Sequence, residues 1–273
     1  MRQLLAKSGV QLTKSLGQNF LHDGNQLRRI ADAAVLTKSD RVLEIGPGLG
    51  PLTELLIERA GEVQAIEIDA RLVEILRARF SAPHFHLMHE DALDFLKRER
   101  RDWSGWKLVA NLPYSVASPI LVELAQAECG PERMVTTLQL EVAERLMARH
   151  GESDYGVLTL LVALSYEPRP AFNIPASCFF PAPDVDSACV CLIRRAQPLL
   201  APSERSIFKR IVKLSFSQRR KMMFKLLRTE WPAEELERAF AELKLPLQAR
   251  AETVSLEQFV RLVRFLSKTR NHE

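Results

Sequence analysis

Residues able to do chemistry concentrate in three short stretches of this 273-residue chain. VLEIGPGLG (42–50) sets three glycines between an apolar run and a segment of helical periodicity. Glycine at such a turn takes positive φ and lets a ligand touch the backbone, and the free N–H groups opening the next helix face an anion. Glu67 closes the following apolar run, about twenty residues after Gly46, where a carboxylate accepts hydrogen bonds from ribose hydroxyls. A tight turn alone would account for the glycines. The acid at this distance favours a nucleoside-containing cofactor at the carboxyl edge of a sheet. Asp91, after a third apolar run, stands either to contact an adenine ring or to cap the helix DALDFLK.

The third stretch, ANLPYSVASP (110–119), ends an apolar run with an amide, a rigid proline and an aromatic ring. In isolation N-x-P-Y suits a turn as well as a site. Downstream of the glycine loop and Glu67 it reads as a platform for an exocyclic amine. The lone pair of an adenine NH2 is delocalised into the ring, and acceptors around the NH2 favour its pyramidal form and expose that lone pair. The Asn111 side-chain oxygen and the Leu112 carbonyl supply acceptors, while Pro113 fixes the chain. Tyr114 stacks on a base flipped out of its helix. Alignment for in-line attack then lowers much of the barrier, with little acid–base catalysis.

Such residues need a sheet that gathers its carboxyl ends. RVLEI (41–45), EVQAIEI (62–68), HFHLM (84–88), WKLVA (106–110) and MVTTLQL (134–140) read as strands. Helical periodicity over 51–60, 70–80 and 118–127 alternates with them. A buried helix is expected over 155–165, and further strands near 166–174 and 185–194. The pattern predicts an α/β fold: a doubly wound, mostly parallel sheet of the Rossmann-like kind. Proline-punctuated AQPLLAPSE (196–204) then marks a change to purely helical sequence. The expected domains are therefore 1–196, catalytic with a basic N-terminal arm, and 197–273, a small all-α unit. In the latter, Ile207, Ile211 and Leu214 form one face, Pro232 suits a first helical turn, and Ser255 with Gln258 makes a capping box.

Composition is that of a soluble globular protein, and no apolar run reaches the eighteen or so residues a membrane helix needs. The net charge of +4 permits a polyanionic partner without demanding one. Its distribution says more, since Glu204 to Arg228 holds nine Lys/Arg against one acid. The four cysteines have no disulfide-framework spacing; Cys189-x-Cys191 reads as buried reduced thiols, and His84, His86 and His89 as a solvated strand. No metal site is expected, and a reducing cytoplasm is the natural compartment.

The loop spacing is G-x-G-x-G in place of G-x-G-x-x-G. It weighs against NAD or FAD and resembles the S-adenosylmethionine-dependent methyltransferases, whose loop holds the methionine carboxylate. Over nearly the whole chain, in order, the sequence is similar to the small-subunit (16S) ribosomal RNA adenine dimethyltransferases. The matching segments include GQNFL (17–21), EIGPGLGPLT (44–53), NLPY (111–114), EVAERL (141–146), FFPAPDVDS (179–187) and SFSQRRK (215–221). The resemblance implies N6-dimethylation of two adjacent adenosines near the 3′ end of small-subunit rRNA, in a maturing subunit. It implies S-adenosylmethionine contacts at Asn19, Leu21, Gly46, Glu67, Asp91 and Asn111, and Phe179 facing Tyr114 across the target adenine. On the residues alone, Phe179 and Phe180 read as core.

Arg219, Arg220 and Lys221, beside Gln218 on what reads as a basic helical tail, are expected to contact rRNA phosphates. Leu140 stands where relatives often carry Lys, and Ser15-Leu16 where an Arg–aromatic pair is common; both departures bear on local RNA contacts. A monomer acting on the small ribosomal subunit is the expectation. The rivals are a large-subunit rRNA adenine methyltransferase and a non-catalytic ribosome-assembly factor that kept the fold.

Overall fold

A computed structural model describes residues 19–99 and 101–270. The N-terminal arm, Ser15-Leu16 and the first two residues of GQNFL lie outside the described residues. In chain order the elements are β1 (Phe20–Leu21), α1 (Gly24–Ala33), β2 (Arg41–Ile45), α2 (Pro51–Arg59), β3 (Glu62–Glu67), α3 (Ala70–Arg79), β4 (Phe85–His89), α4 (Ala92–Arg98) and β5 (Trp106–Asn111). Next come α5 (Tyr114–Gln126), β6 (Arg133–Gln139), α6 (Leu140–Met147), α7 (Val157–Ala163), β7 (Tyr166–Ile174), β8 (Phe179–Phe180) and β9 (Ser187–Arg194). The chain closes with α8 (Pro202–Ser215), α9 (Met223–Leu227), α10 (Ala233–Glu242) and α11 (Leu256–Arg270).

Seven strands form one sheet in the order β4-β3-β2-β5-β6-β9-β7. The β2–β3, β3–β4, β2–β5 and β5–β6 pairs are parallel, and β9 runs antiparallel to β6. The inner strands read as near-continuous apolar runs because helices cover them. Edge strand β4 is only half-buried, which is why its histidines tolerate water. Strand order reverses between β2 and β5, so the crevice at their carboxyl ends is the natural ligand site of a doubly wound sheet. Beneath it, Leu27, Ile30, Val42, Leu56, Val109 and Val135 belong to one buried cluster. Cys189 and Cys191 are free and buried; burial pushes the Cys189 thiol up to about 12.

Several boundaries differ from expectation. Strand β3 stops at Glu67, and Ile68 beyond it is 47% exposed. Helix α5 begins at Tyr114 and carries Pro119 inside it. Periodicity placed that start at 118 because a proline usually marks a first turn, whereas Pro113 already occupies the cap with φ −58°. Leu140 opens helix α6 instead of ending a strand. The two-residue strands β1 and β8 pair antiparallel in a separate ribbon, Phe20 opposite Phe180 and Leu21 opposite Phe179.

Two compact units divide the chain: residues up to Ala143 with Glu167–Arg194, and Glu144–Tyr166 with the residues from Arg195 onward. The excursion between β6 and β7 thus joins the helical unit, a discontinuous division where a single break near 196 was expected. Within that unit α8 packs on α9 and α11. Its buried stripe is Phe208, Ile211, Val212 and Ser215, with Ile207 and Leu214 at the margins. Tyr155 donates to the Val254 carbonyl at 2.8 Å, and the Ser255–Gln258 capping box forms as expected, at 3.0 and 3.3 Å. Arg219, Arg220 and Lys221 sit on the turn after α8, not on a helix, because α8 ends at Ser215 and the Ser217 hydroxyl turns back to the Leu214 carbonyl. No described helix is long and apolar enough to cross a membrane.

Candidate active site

The glycine loop leaves β2 in the left-handed region, with φ of 68° at Gly46 and 62° at Gly48. A Cβ at Gly46 would lie 3.1 Å from the Pro113 ring, and one at Gly48 2.8 Å from the Phe20 ring. Glycine is thus required twice over, by backbone angle and by close approach. The same contacts pack the loop between the N-x-P-Y corner and strand β1. Glu67, 5% exposed, accepts the Gly48 N–H at 3.1 Å through Oε2. Its Oε1 accepts the N–H groups of Ile68 and Asp69, each at 3.0 Å. Burial raises the Glu67 pKa, and these backbone donors oppose the rise.

Around this loop the crevice has two adjoining halves. One is lined by Asn19, Phe20, Glu44, Gly48, Asn111 and Tyr114. The other is lined by Asp91, Ala92 and Ile120, with Gly46, Glu67, Ile68 and Pro113 shared by both. Asp91 occupies Oδ1 in capping α4, accepting from Leu93 N at 2.8 Å and Asp94 N at 3.0 Å. Its two sequence readings are therefore compatible, since the capping residue also lines the crevice. Exposed Ile68 adds an apolar side chain to the lining of the same half.

Asn111, the last residue of β5, donates through Nδ2 to the Asn19 carbonyl at 3.1 Å. A carbonyl only accepts, so the contact fixes which end of the amide is NH2. Oδ1 is consequently turned the other way, buried and without a hydrogen-bond partner. Leu112 is 1% exposed and lines the same half of the crevice. Tyr114 begins α5, and its hydroxyl lies 2.6 Å from that of Ser187. Burial pushes its phenol pKa up.

Of the expected residues, Asn19, Leu21, Gly46, Glu67, Asn111, Leu112 and Tyr114 meet in one half of the crevice, and Asp91 lies in the adjoining half. Phe179 is 2% exposed and belongs with Leu21 and Leu27 to one buried cluster, the placement its residue type alone had indicated. Its β1 pairing turns it inward, while Phe180 faces the Phe20–Leu49–Leu72 cluster. Arg219, Arg220 and Lys221 belong to the helical unit. There Arg219 bonds the Ser153 carbonyl and lies 3.5 Å from Glu252, while Arg220 and Lys221 are exposed.

Glu44 was missed by the sequence reading. It is 1% exposed, lines the crevice, and its Oε2 has no partner. Burial, with the nearby Glu67 charge, pushes its carboxyl up to about 8. The available signal was an acid inside an otherwise apolar strand, RVLEI.

Comparison with known proteins agrees with this geometry. A family model described as ribosomal RNA adenine dimethylase matches residues 9–268. The ribosomal RNA small subunit methyltransferase A of Geobacillus thermodenitrificans is 39% identical over 272 residues, covering 96% of this chain and 93% of its own. That of Listeria monocytogenes is 39% identical over 280 residues, covering 97% and 94%. Among solved structures, a dimethyladenosine transferase from Plasmodium falciparum superposes with a TM-score of 0.78 at 26% identity, covering 92% of this chain and 98% of that one. The 23S rRNA methyltransferase ErmE superposes with a TM-score of 0.69 at 32% identity, covering 91% and 100%. Agreement of this extent, from before the first strand to the last helix, leaves one assignment: the chain belongs to the ribosomal RNA adenine dimethylase family.

Proposed function

We propose that this chain dimethylates N6 of two adjacent adenosines near the 3′ end of small-subunit rRNA, using S-adenosylmethionine. The residues present fit that cofactor. The glycine loop is a cradle that a Cβ would fill, the buried Glu67 acceptor lines the same crevice, and Ile68 exposes an apolar side chain in the half that holds Asp91. When bound, S-adenosylmethionine supplies an electrophilic methyl on a sulfonium. The chain's own residues supply position. Glu67 is placed to accept from ribose hydroxyls, Asn111 Oδ1 and the Leu112 carbonyl to accept from the target NH2, and Tyr114 to support the ring.

One observation carries the reading: a buried amide oxygen, oriented by Nδ2 and lacking any partner, lines the cofactor crevice. Unsatisfied buried acceptors cost about 1–3 kcal/mol, so a donor is expected to arrive there. An adenine NH2 is such a donor. Exposed Arg220 and Lys221 suit rRNA phosphates, which makes subunit binding salt-dependent.

Small subunits lacking the modification, incubated with the protein and labelled S-adenosylmethionine, should yield dimethyladenosine on nucleoside analysis. Label in large-subunit rRNA alone would support the second reading, favoured by the 32% identity to ErmE. The 39% identity to small-subunit enzymes favours the first. No label in either RNA would leave the assembly-factor reading.

A further inference from the structure

We propose that Ser187 is a positioning residue for Tyr114, fixing through its hydroxyl the place of the ring on which the target base rests. The inference rests on the reading of Tyr114 as the support of that base. The phenol oxygen lies on the axis about which a tyrosine ring flips, so a contact there leaves the flip free and restrains χ1, the torsion that swings the whole ring. Here the contact is short, 2.6 Å between Tyr114 Oη and Ser187 Oγ. It spans 73 residues of sequence, so the two hydroxyls meet through the fold alone.

Ser187 itself has little room to move. It is the first residue of β9, fully buried, and lies opposite Gln139 in the antiparallel pairing with β6. The preceding residue is tied on two sides. Asp186 Oδ1 accepts the Ala176 N–H at 2.8 Å, and its carbonyl accepts the Leu140 N–H at 3.0 Å. The Ala176 contact holds the short turn that leads into β8, and the Leu140 contact holds the start of α6. The last two residues of FFPAPDVDS thus fasten neighbouring segments, and Ser187 passes that rigidity to the aromatic ring at the mouth of the crevice.

Two measurements test this. The chain has three tyrosines, so the Tyr114 ring signal in a ring-labelled protein is assigned by its loss in Tyr114→Phe. Ser187→Ala should let the Tyr114 ring swing about χ1, shifting and broadening its ring signals, and leave the Tyr155 and Tyr166 signals unchanged. In single-turnover methylation, Ser187→Ala and Tyr114→Phe should each lower the rate about tenfold, the worth of one buried hydrogen bond. The double variant should fall no further, and affinity for S-adenosylhomocysteine should hold. Unchanged ring motion, unchanged rates in the singles, losses that multiply in the double variant, or an equal loss of S-adenosylhomocysteine binding would each overturn the assignment. Should the wild-type protein methylate no rRNA while the ring signals change as expected, the functional reading fails and the positioning contact stands.

Discussion

Replacing Glu44 by glutamine should make the protein more stable at pH 8 and leave it nearly unchanged at pH 5. Glu44 is buried on β2 with an unpartnered oxygen, and its carboxyl is raised from 4.5 to about 8 by burial and by Glu67. Unfolded, the group releases its proton near 4.5; folded, it keeps the proton until about 8. The folded state therefore binds more protons across this window, and stability falls as pH rises, by about 1.4 kcal/mol per unit at most. Integrated from pH 5 to pH 8 for this one group, the loss is roughly 3 to 4 kcal/mol. The amide in Glu44→Gln does not titrate, so the difference between the two proteins reports Glu44 together with its coupling to Glu67, the more distant ionisations being common to both. Urea unfolding of both proteins at several pH values between 5 and 8 measures it. A difference that stays flat across that range would show that Glu44 is ionised throughout, and the account of a neutral buried acid would fail.

Other variants probe the rest of the crevice. Asn111→Ala removes the orphaned acceptor and should lower methyl transfer by about a hundredfold or more, the scale found for preorganised polar groups in active sites; subunit binding measured by filtration should persist, and equal loss of both would make Asn111 structural. Gly48→Ala places a methyl 2.8 Å from the Phe20 ring at a φ of 62°, so thermal unfolding should show a loss of about 1–3 kcal/mol together with weaker cofactor binding by calorimetry. Arg220→Ala should weaken subunit binding and reduce the slope of log affinity against log salt by about one; an unchanged slope would remove Arg220 from the RNA contacts.

How much of this was legible in sequence depended on whether the signal was local. The glycine spacing, Glu67 and N-x-P-Y each fall within a few residues, and strand–helix alternation placed them all at the carboxyl edge. Glu44 was not legible because one acid in RVLEI fits a half-exposed strand as well as a buried one. Only the parallel neighbours on both sides of β2 make it buried. Strands β1 and β8 are two residues each, too short for periodicity, and they turn Phe179 into the core. Arg219 to Lys221 have helix-favouring residue types, yet the α8 terminus at Ser215 overrides that preference.

The contacts that escaped the sequence are also those that join the site into one body. Pro113 lies against Gly46, Phe20 against Gly48, and Asn111 holds the Asn19 carbonyl. The cofactor loop, the amine platform and strand β1 therefore share a single packed interface, and none can shift without disturbing the others. Folding, not binding, bears the cost of burying Asn111 Oδ1 and Glu44 Oε2 without partners. A ligand that brings donors or positive charge to those oxygens meets them already desolvated and aimed, with no reorganisation left for the reacting step. Such a site favours geometry over acid–base chemistry, as methyl transfer to a weakly nucleophilic amine requires.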